Sequence, residues 1–123
     1  MISDNLQEIS ERYKNIVWEG KTWNEVGEGW VDLVYRTMDD IYSVSNGEKV
    51  TIHQVKEKFG YLNIYFECED KDLQSKIGMI VRRASERSKT LCEQCGAPGT
   101  HRKEGHRWLT CCYSCGKLEG SDD

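Results

Sequence analysis

The sequence predicts an α+β body closed at its C-terminal end by a zinc ribbon, and three observations carry that expectation. Two C-x-x-C-G runs, Cys92-Glu93-Gln94-Cys95-Gly96 and Cys112-Tyr113-Ser114-Cys115-Gly116, stand 16 residues apart. Apolar residues recur at helical spacing over 30–43 and 71–90. Over 61–68 they alternate instead with polar ones, the period of a strand with one buried face. The expected organisation is an α+β body over 1–90, a zinc ribbon over 91–118 and a disordered tail over 119–123.

The cysteines set the chemistry of the C-terminal end. A C-x-x-C turn brings two thiolates to one ion, and the Gly after it lets the backbone bend so that N–H groups face the sulfurs. Two such turns complete the tetrahedral sulfur shell that structural zinc prefers. Cys92, Cys95, Cys112 and Cys115 are therefore the expected ligands of one Zn²⁺. Four protein ligands leave no position for an activated water, so the expected site is structural. Cys111 competes with its neighbour Cys112 for a place in the shell. The symmetric repeat favours Cys112, with Cys111 turned the other way from a strand as a small buried hydrophobe. A pair of disulfides is the alternative, and it needs an oxidising compartment. Met1-Ile2-Ser3-Asp4-Asn5-Leu6-Gln7-Glu8 has neither the basic nor the apolar region of a signal peptide. No apolar run approaches the ~20 residues that span a bilayer. A cytoplasmic location is the expectation.

Composition bounds the core. Of 123 residues, 37% are hydrophobic and 31% charged, so four Trp, six Tyr and two Phe must supply much of the buried area. A metal staple suits so modest a core. The net charge of −4 is unevenly spread: residues 82–107 hold seven Lys/Arg against three acids, a local +4 on an acidic remainder. An acidic chain is a poor general binder of duplex nucleic acid, because phosphate neutralisation drives that affinity. A local basic face suits a small anionic ligand or an acidic partner.

Taken in order, residues 3–14 predict a short surface helix, capped by Ser3 or Asp4, with Leu6, Ile9 and Tyr13 on one face. Residues 15–29, with Trp18, Gly20, Trp23, Gly27 and Gly29, read as a loop whose two Trp rings plug the core. Residues 30–43 predict the clearest helix, with Trp30, Leu33, Val34, Thr37, Met38 and Ile41 on its buried stripe. Asn46-Gly47 ends it in a turn. Residues 49–59 and 61–68 read as two strands joined tightly at Phe59-Gly60, with Gly60 free to take positive φ. Residues 71–90 predict a helix capped by Asp70 or Asp72, burying Leu73, Ile77, Ile80, Val81, Ala84 and, past its end, Leu91. Its C-terminal half carries Arg82, Arg83, Glu86, Arg87 and Lys89, where cations suit the helix dipole.

The run Val55-Lys56-Glu57-Lys58-Phe59-Gly60-Tyr61-Leu62, the helix end Arg83-Ala84-Ser85-Glu86-Arg87-Ser88 and the run Cys92-Glu93-Gln94-Cys95-Gly96-Ala97-Pro98-Gly99 together resemble a group of small uncharacterised proteins. These are common in bacteriophage and prophage genomes and share a V-K-E-K-F-G-G-L-R-type hairpin before a terminal zinc ribbon. The likeness covers roughly residues 30–116. Tyr61 stands where the group has a second Gly, and Asn63 where it often has Arg. The resemblance implies phage origin, the cytoplasm of a host cell and action by stoichiometric binding, as in proteins that sequester the nucleotide-derived messengers of bacterial immunity.

No catalytic constellation is recognisable. His53, His101 and His106 lack partners in a motif, and no phosphate-cradling glycine motif occurs. His101 and His106 could ligate a metal, but the two C-x-x-C turns already supply four sulfurs. The hairpin offers the best candidate surface: alternation lines up Tyr61, Asn63 and Tyr65, with Lys56 and Lys58 beside them. Rings can stack on a base, an amide can read its edge and lysines can neutralise phosphate. Arg83 and Arg87, one helical turn apart, could clamp a phosphate, across a homodimer interface if two copies pair. The expected function is non-enzymatic binding of a small, anionic, nucleotide-derived ligand. The alternative is an adaptor that binds a host protein or single-stranded nucleic acid through Arg102, Lys103, Arg107 and Trp108.

Overall fold

In the computed structural model, residues 11–19 and 26–115 are described. Most of the expected 3–14 helix, Gly20, Trp23 and the 119–123 tail lie outside them; Glu11 and Arg12 are helical. The described chain is mixed α+β, with two helices and two small sheets.

The region read as a loop contains two short elements instead. Ile16–Trp18 is a strand, β1, and Glu28–Trp30 is a single 3₁₀ turn. Three residues are too few to show an alternation, so β1 is defined only by its distant partner. It runs parallel to β2 (Val50–Lys58), with Ile16 opposite Val50 and Trp18 opposite Ile52. Parallel pairing demands a long crossover, which helix α1 (Val31–Ser45) supplies. Helix α1 buries Val34, Thr37, Met38 and Ile41 under the fully buried Trp30, and stops at Asn46 in the left-handed region.

Strand β3 (Tyr61–Glu67) returns antiparallel to β2, giving the sheet order β1-β2-β3. Phe59 and Gly60 form the two-residue turn, with φ of 58° and 80°. Positive φ at both positions is the type I′ pattern, whose twist matches that of the flanking strands. Val50, Ile52, Val55, Leu62 and Ile64 are buried in one core with residues of both helices. Helix α2 (Lys71–Ser88) begins at Asp70, whose Oδ1 accepts from Leu73 N at 3.0 Å. It packs on α1 and β3, burying Leu73, Ile77, Ala84 and Ser88. Two of its serines also close the free edge of β3: Leu62 N donates to Ser88 Oγ (2.9 Å), and Ser85 Oγ donates to Leu62 O (2.6 Å).

After α2 the chain forms a second hairpin, β4 (Thr100–Glu104) and β5 (Arg107–Cys111), through a tight Gly105–His106 turn. No helix among the described residues is long and apolar enough to cross a membrane.

Candidate metal centre and binding face

Cys92, Cys95, Cys112 and Cys115 converge, each offering an Sγ, with all four sulfurs within 4.8 Å of one another. A zinc–sulfur bond of about 2.3 Å in a tetrahedron places ligand sulfurs about 3.8 Å apart. The observed Cys95–Cys112 Sγ separation of 3.6 Å fits that spacing. None of the six cysteines is in a disulfide. The donor set therefore fits one tetrahedral, thiophilic metal ion. Cys111 is buried and lies outside the cluster, while Cys112 lies in it, as the symmetric repeat predicts.

Local backbone geometry aims the sulfurs. Gly96 N donates to Cys92 O (2.8 Å) and Cys92 N to Ala97 O (2.7 Å), folding the first turn on itself. In the second, Cys115 N donates to Cys112 Sγ at 3.4 Å. Burial alone would raise the Cys92 thiol, but backbone N–H groups of Cys112, Cys95 and Gln94 outweigh it and bring the pKa down to about 6. The Cys115 thiol is pushed up, first by its hydrogen bond with Cys112 and then by that with Cys92. Four sulfurs this close cannot all ionise unless a cation compensates their mutual repulsion.

The cluster is braced against the helical body from two sides. Gly29 N donates to Glu93 O (3.0 Å), and Trp30 Nε1 donates to Leu91 O (2.9 Å). A Cβ on Gly29 would lie 2.0 Å from Cys92 O, so only glycine lets the 3₁₀ turn approach the first cysteine turn this closely. On the other side the β2–β3 tip docks on β5. Thr110 Oγ1 donates to Gly60 O (2.6 Å), and a Cβ on Gly60 would stand 2.6 Å from Leu109 N.

That docking brings two faces together. On the β2–β3 hairpin, Lys58 pairs with Tyr61, Lys56 with Asn63 and Gln54 with Tyr65, so all five hairpin residues expected from the sequence share the sheet face away from the core. On β4–β5, His101 lies opposite Thr110 and Lys103 opposite Trp108. His101 stacks on Trp108 (centroids 5.0 Å apart, planes at 16°) and meets Tyr61 edge-on at 6.0 Å. Its Nε2 donates to Phe59 O at 2.9 Å. Lys89 Nζ sits 4.8 Å from the Tyr61 ring centroid, and Lys58 Nζ 5.5 Å from that of Phe59.

Arg83 and Arg87 do not join this surface. They line a groove between α1 and α2 with Leu33, Arg36, Asp40 and Ile80, to which the hairpin contributes nothing. Helix packing decides this: the stripe that buries Leu73, Ile77 and Ala84 leaves Arg83 and Arg87 on the far side of α2 from the strands. The sequence reading missed Phe59, Lys89 and His101 as members of the face. The alternation of His101 with Lys103, across from Trp108 and Thr110, is the signal that could have found His101.

His53 is a separate feature. It occupies a bulge in β2, between the paired residues Ile52 and Gln54. Its Nδ1 lies 2.7 Å from Glu19 Oε1 and its Nε2 3.0 Å from Glu67 Oε1.

No protein-family model, curated protein or solved structure matches the chain.

Proposed function

We propose that the chain is a non-enzymatic binding protein, folded around a structural zinc ion, whose hairpin face holds an anionic, base-bearing ligand of the nucleotide type. Cys92, Cys95, Cys112 and Cys115 would hold the ion in a closed shell. Bound there, zinc supplies charge compensation and a covalent-like cross-link, and the rest of the chemistry belongs to the protein. The observation that carries the reading is the common face of Lys56, Lys58, Tyr61, Asn63 and Tyr65. Tyr65 presents an exposed ring for stacking and the two lysines supply positive charge, while Asn63 donates its amide N–H groups to Lys58 O and Tyr61 O and offers a ligand only its Oδ1 as acceptor. The likeness of the hairpin and cysteine runs to small phage proteins is in keeping with stoichiometric capture.

Two measurements test this. Elemental analysis of protein purified without chelator is expected to give one zinc per chain. A panel of nucleotides, cyclic dinucleotides among them, is expected to include ligands that raise the melting temperature of the zinc-loaded protein. Tyr65→Ala and Lys56→Ala should abolish that rise, and Arg83→Ala, in the other groove, should leave it. A wild-type protein that no member of the panel stabilises defeats the reading.

A further inference from the structure

The face described above is longer than a mononucleotide needs. From Tyr65 to Tyr61 along β3 is four residues, about 13 Å at the usual strand rise. Two more rings continue the row beyond Tyr61, with centroid steps of 6.0 Å to His101 and 5.0 Å to Trp108. Phe59 stands at the tip beside them, 57% exposed, with positive φ. Packing does not account for a bulky aromatic there: type I′ turns favour Asn or Asp before the Gly, and the ring is mostly in solvent. Lys56, Lys58, Lys89 and Lys103 lie along or beside the row. Of the hairpin carboxylates, Glu57 is across from the buried Leu62 and accepts from Gly60 N at 2.7 Å, while Glu67, two residues beyond Tyr65 on the same face, is 3.0 Å from His53 Nε2.

We infer that this continuous row binds single-stranded nucleic acid, with bases of one strand on Tyr65, Tyr61, Trp108 and Phe59 and the lysines on the backbone. The inference rests on the hairpin-face reading and extends it from one nucleotide to a strand of about four, near the lower end of single-strand site sizes. Stacking on aromatic rings reads every base alike, so the row predicts little sequence preference. A duplex hides its base faces and offers the rings nothing to stack on.

Fluorescence anisotropy on the zinc-loaded full chain tests the assignment, with labelled oligo(dT) and oligo(rU) of eight nucleotides, the same sequences as duplexes, and the labelled mononucleotides. The strand is expected to bind at least a hundredfold more tightly than the mononucleotide. Its affinity should fall with salt at a log–log slope near −2, from about three lysine–phosphate contacts. Trp108→Ala and Phe59→Asn should each weaken strand binding about tenfold. Melting temperature and zinc content, measured on the same samples, separate lost contacts from lost fold. Phe59→Asn keeps a turn residue that suits positive φ, so it remains informative if Trp108→Ala misfolds. A mononucleotide that binds as tightly as the strand, with neither variant affecting it, overturns the inference and leaves the hairpin-face reading standing. Equal affinity for duplex overturns it too. If neither strand nor mononucleotide binds, this inference falls, and the hairpin-face reading is decided separately by the nucleotide panel.

Discussion

Phe59 shows how one residue can oppose fold and surface. A side chain in the left-handed region costs about 1–2 kcal/mol, a penalty that Asn largely escapes by local hydrogen bonding. The Lys58 ammonium over the ring offsets about 0.5 kcal/mol at so exposed a site. Phe59→Asn is therefore expected to stabilise the protein by about 0.5–1.5 kcal/mol, read as a higher urea midpoint with an unchanged slope. A lower midpoint would mean that the ring packs on something the turn needs. The sequence makes the turn itself plain, because Gly60 follows a strand pattern and precedes another. It does not show that Phe59 also takes positive φ, since that conformation is imposed by the two-residue length of the loop. Nor does it show why Gly29 must be glycine: the residue it would strike, Cys92, is distant in sequence and adjacent only after folding.

Elements, rather than residues, explain which parts of the fold are legible in advance. Helices α1 and α2 and strands β2 and β3 each carry their own periodicity, and their bounds lie within a few residues of those read from the sequence. Strand β1 and the Glu28–Trp30 turn carry none, and exist because β2 and the cysteine turns supply partners. Ser88 falls on the helical stripe one turn past Ala84, but spacing alone does not say what a polar side chain would bond there. It is fully buried because the free edge of β3 needs an acceptor. Ser88→Ala leaves the Leu62 N–H buried without one, and a loss of about 1–3 kcal/mol in chemical denaturation is expected. Ser85→Ala removes only a donor to a carbonyl and should cost less, so equal losses would contradict this account. The sheet also carries a pH response. Hydrogen bonds that the protonated His53 ring donates to Glu67 and Glu19 raise its pKa above the ordinary value, so the folded state holds its proton more tightly than the unfolded chain. That stabilisation is complete below pH ~6.5 and is lost as pH rises through the folded-state pKa. Melting temperature should fall from pH 6 to 8 in the wild type, and the fall should be smaller in His53→Gln. An identical pH profile for the two proteins would remove His53 from the explanation.

At the scale of the whole molecule, the central question is whether the cysteine cluster stabilises only its own end. Among the hydrogen bonds of the described residues, those of Gly29 with Glu93, Trp30 with Leu91, Gly60 with Thr110 and Phe59 with His101 tie that end to the rest. Trp30 has no exposed surface, so its indole N–H has no water to turn to if Leu91 moves away. Removing a metal held by the four cysteines would leave crowded thiols that repel as they ionise, and the first cysteine turn, from which Leu91 and Glu93 extend, would lose its anchor. The loss should therefore reach α1 as well as β4 and β5. A strong chelator is expected to lower the melting temperature of the whole chain in a single transition. In the same titration the Trp30 indole N–H resonance should shift or broaden in step with release of the metal. An appended ribbon behaves differently, with two separate transitions and an indole signal that stays in place when the metal leaves. That outcome would show that the 3₁₀ turn and Trp30 hold their positions without the cluster, and would confine the metal's role to the C-terminal hairpin.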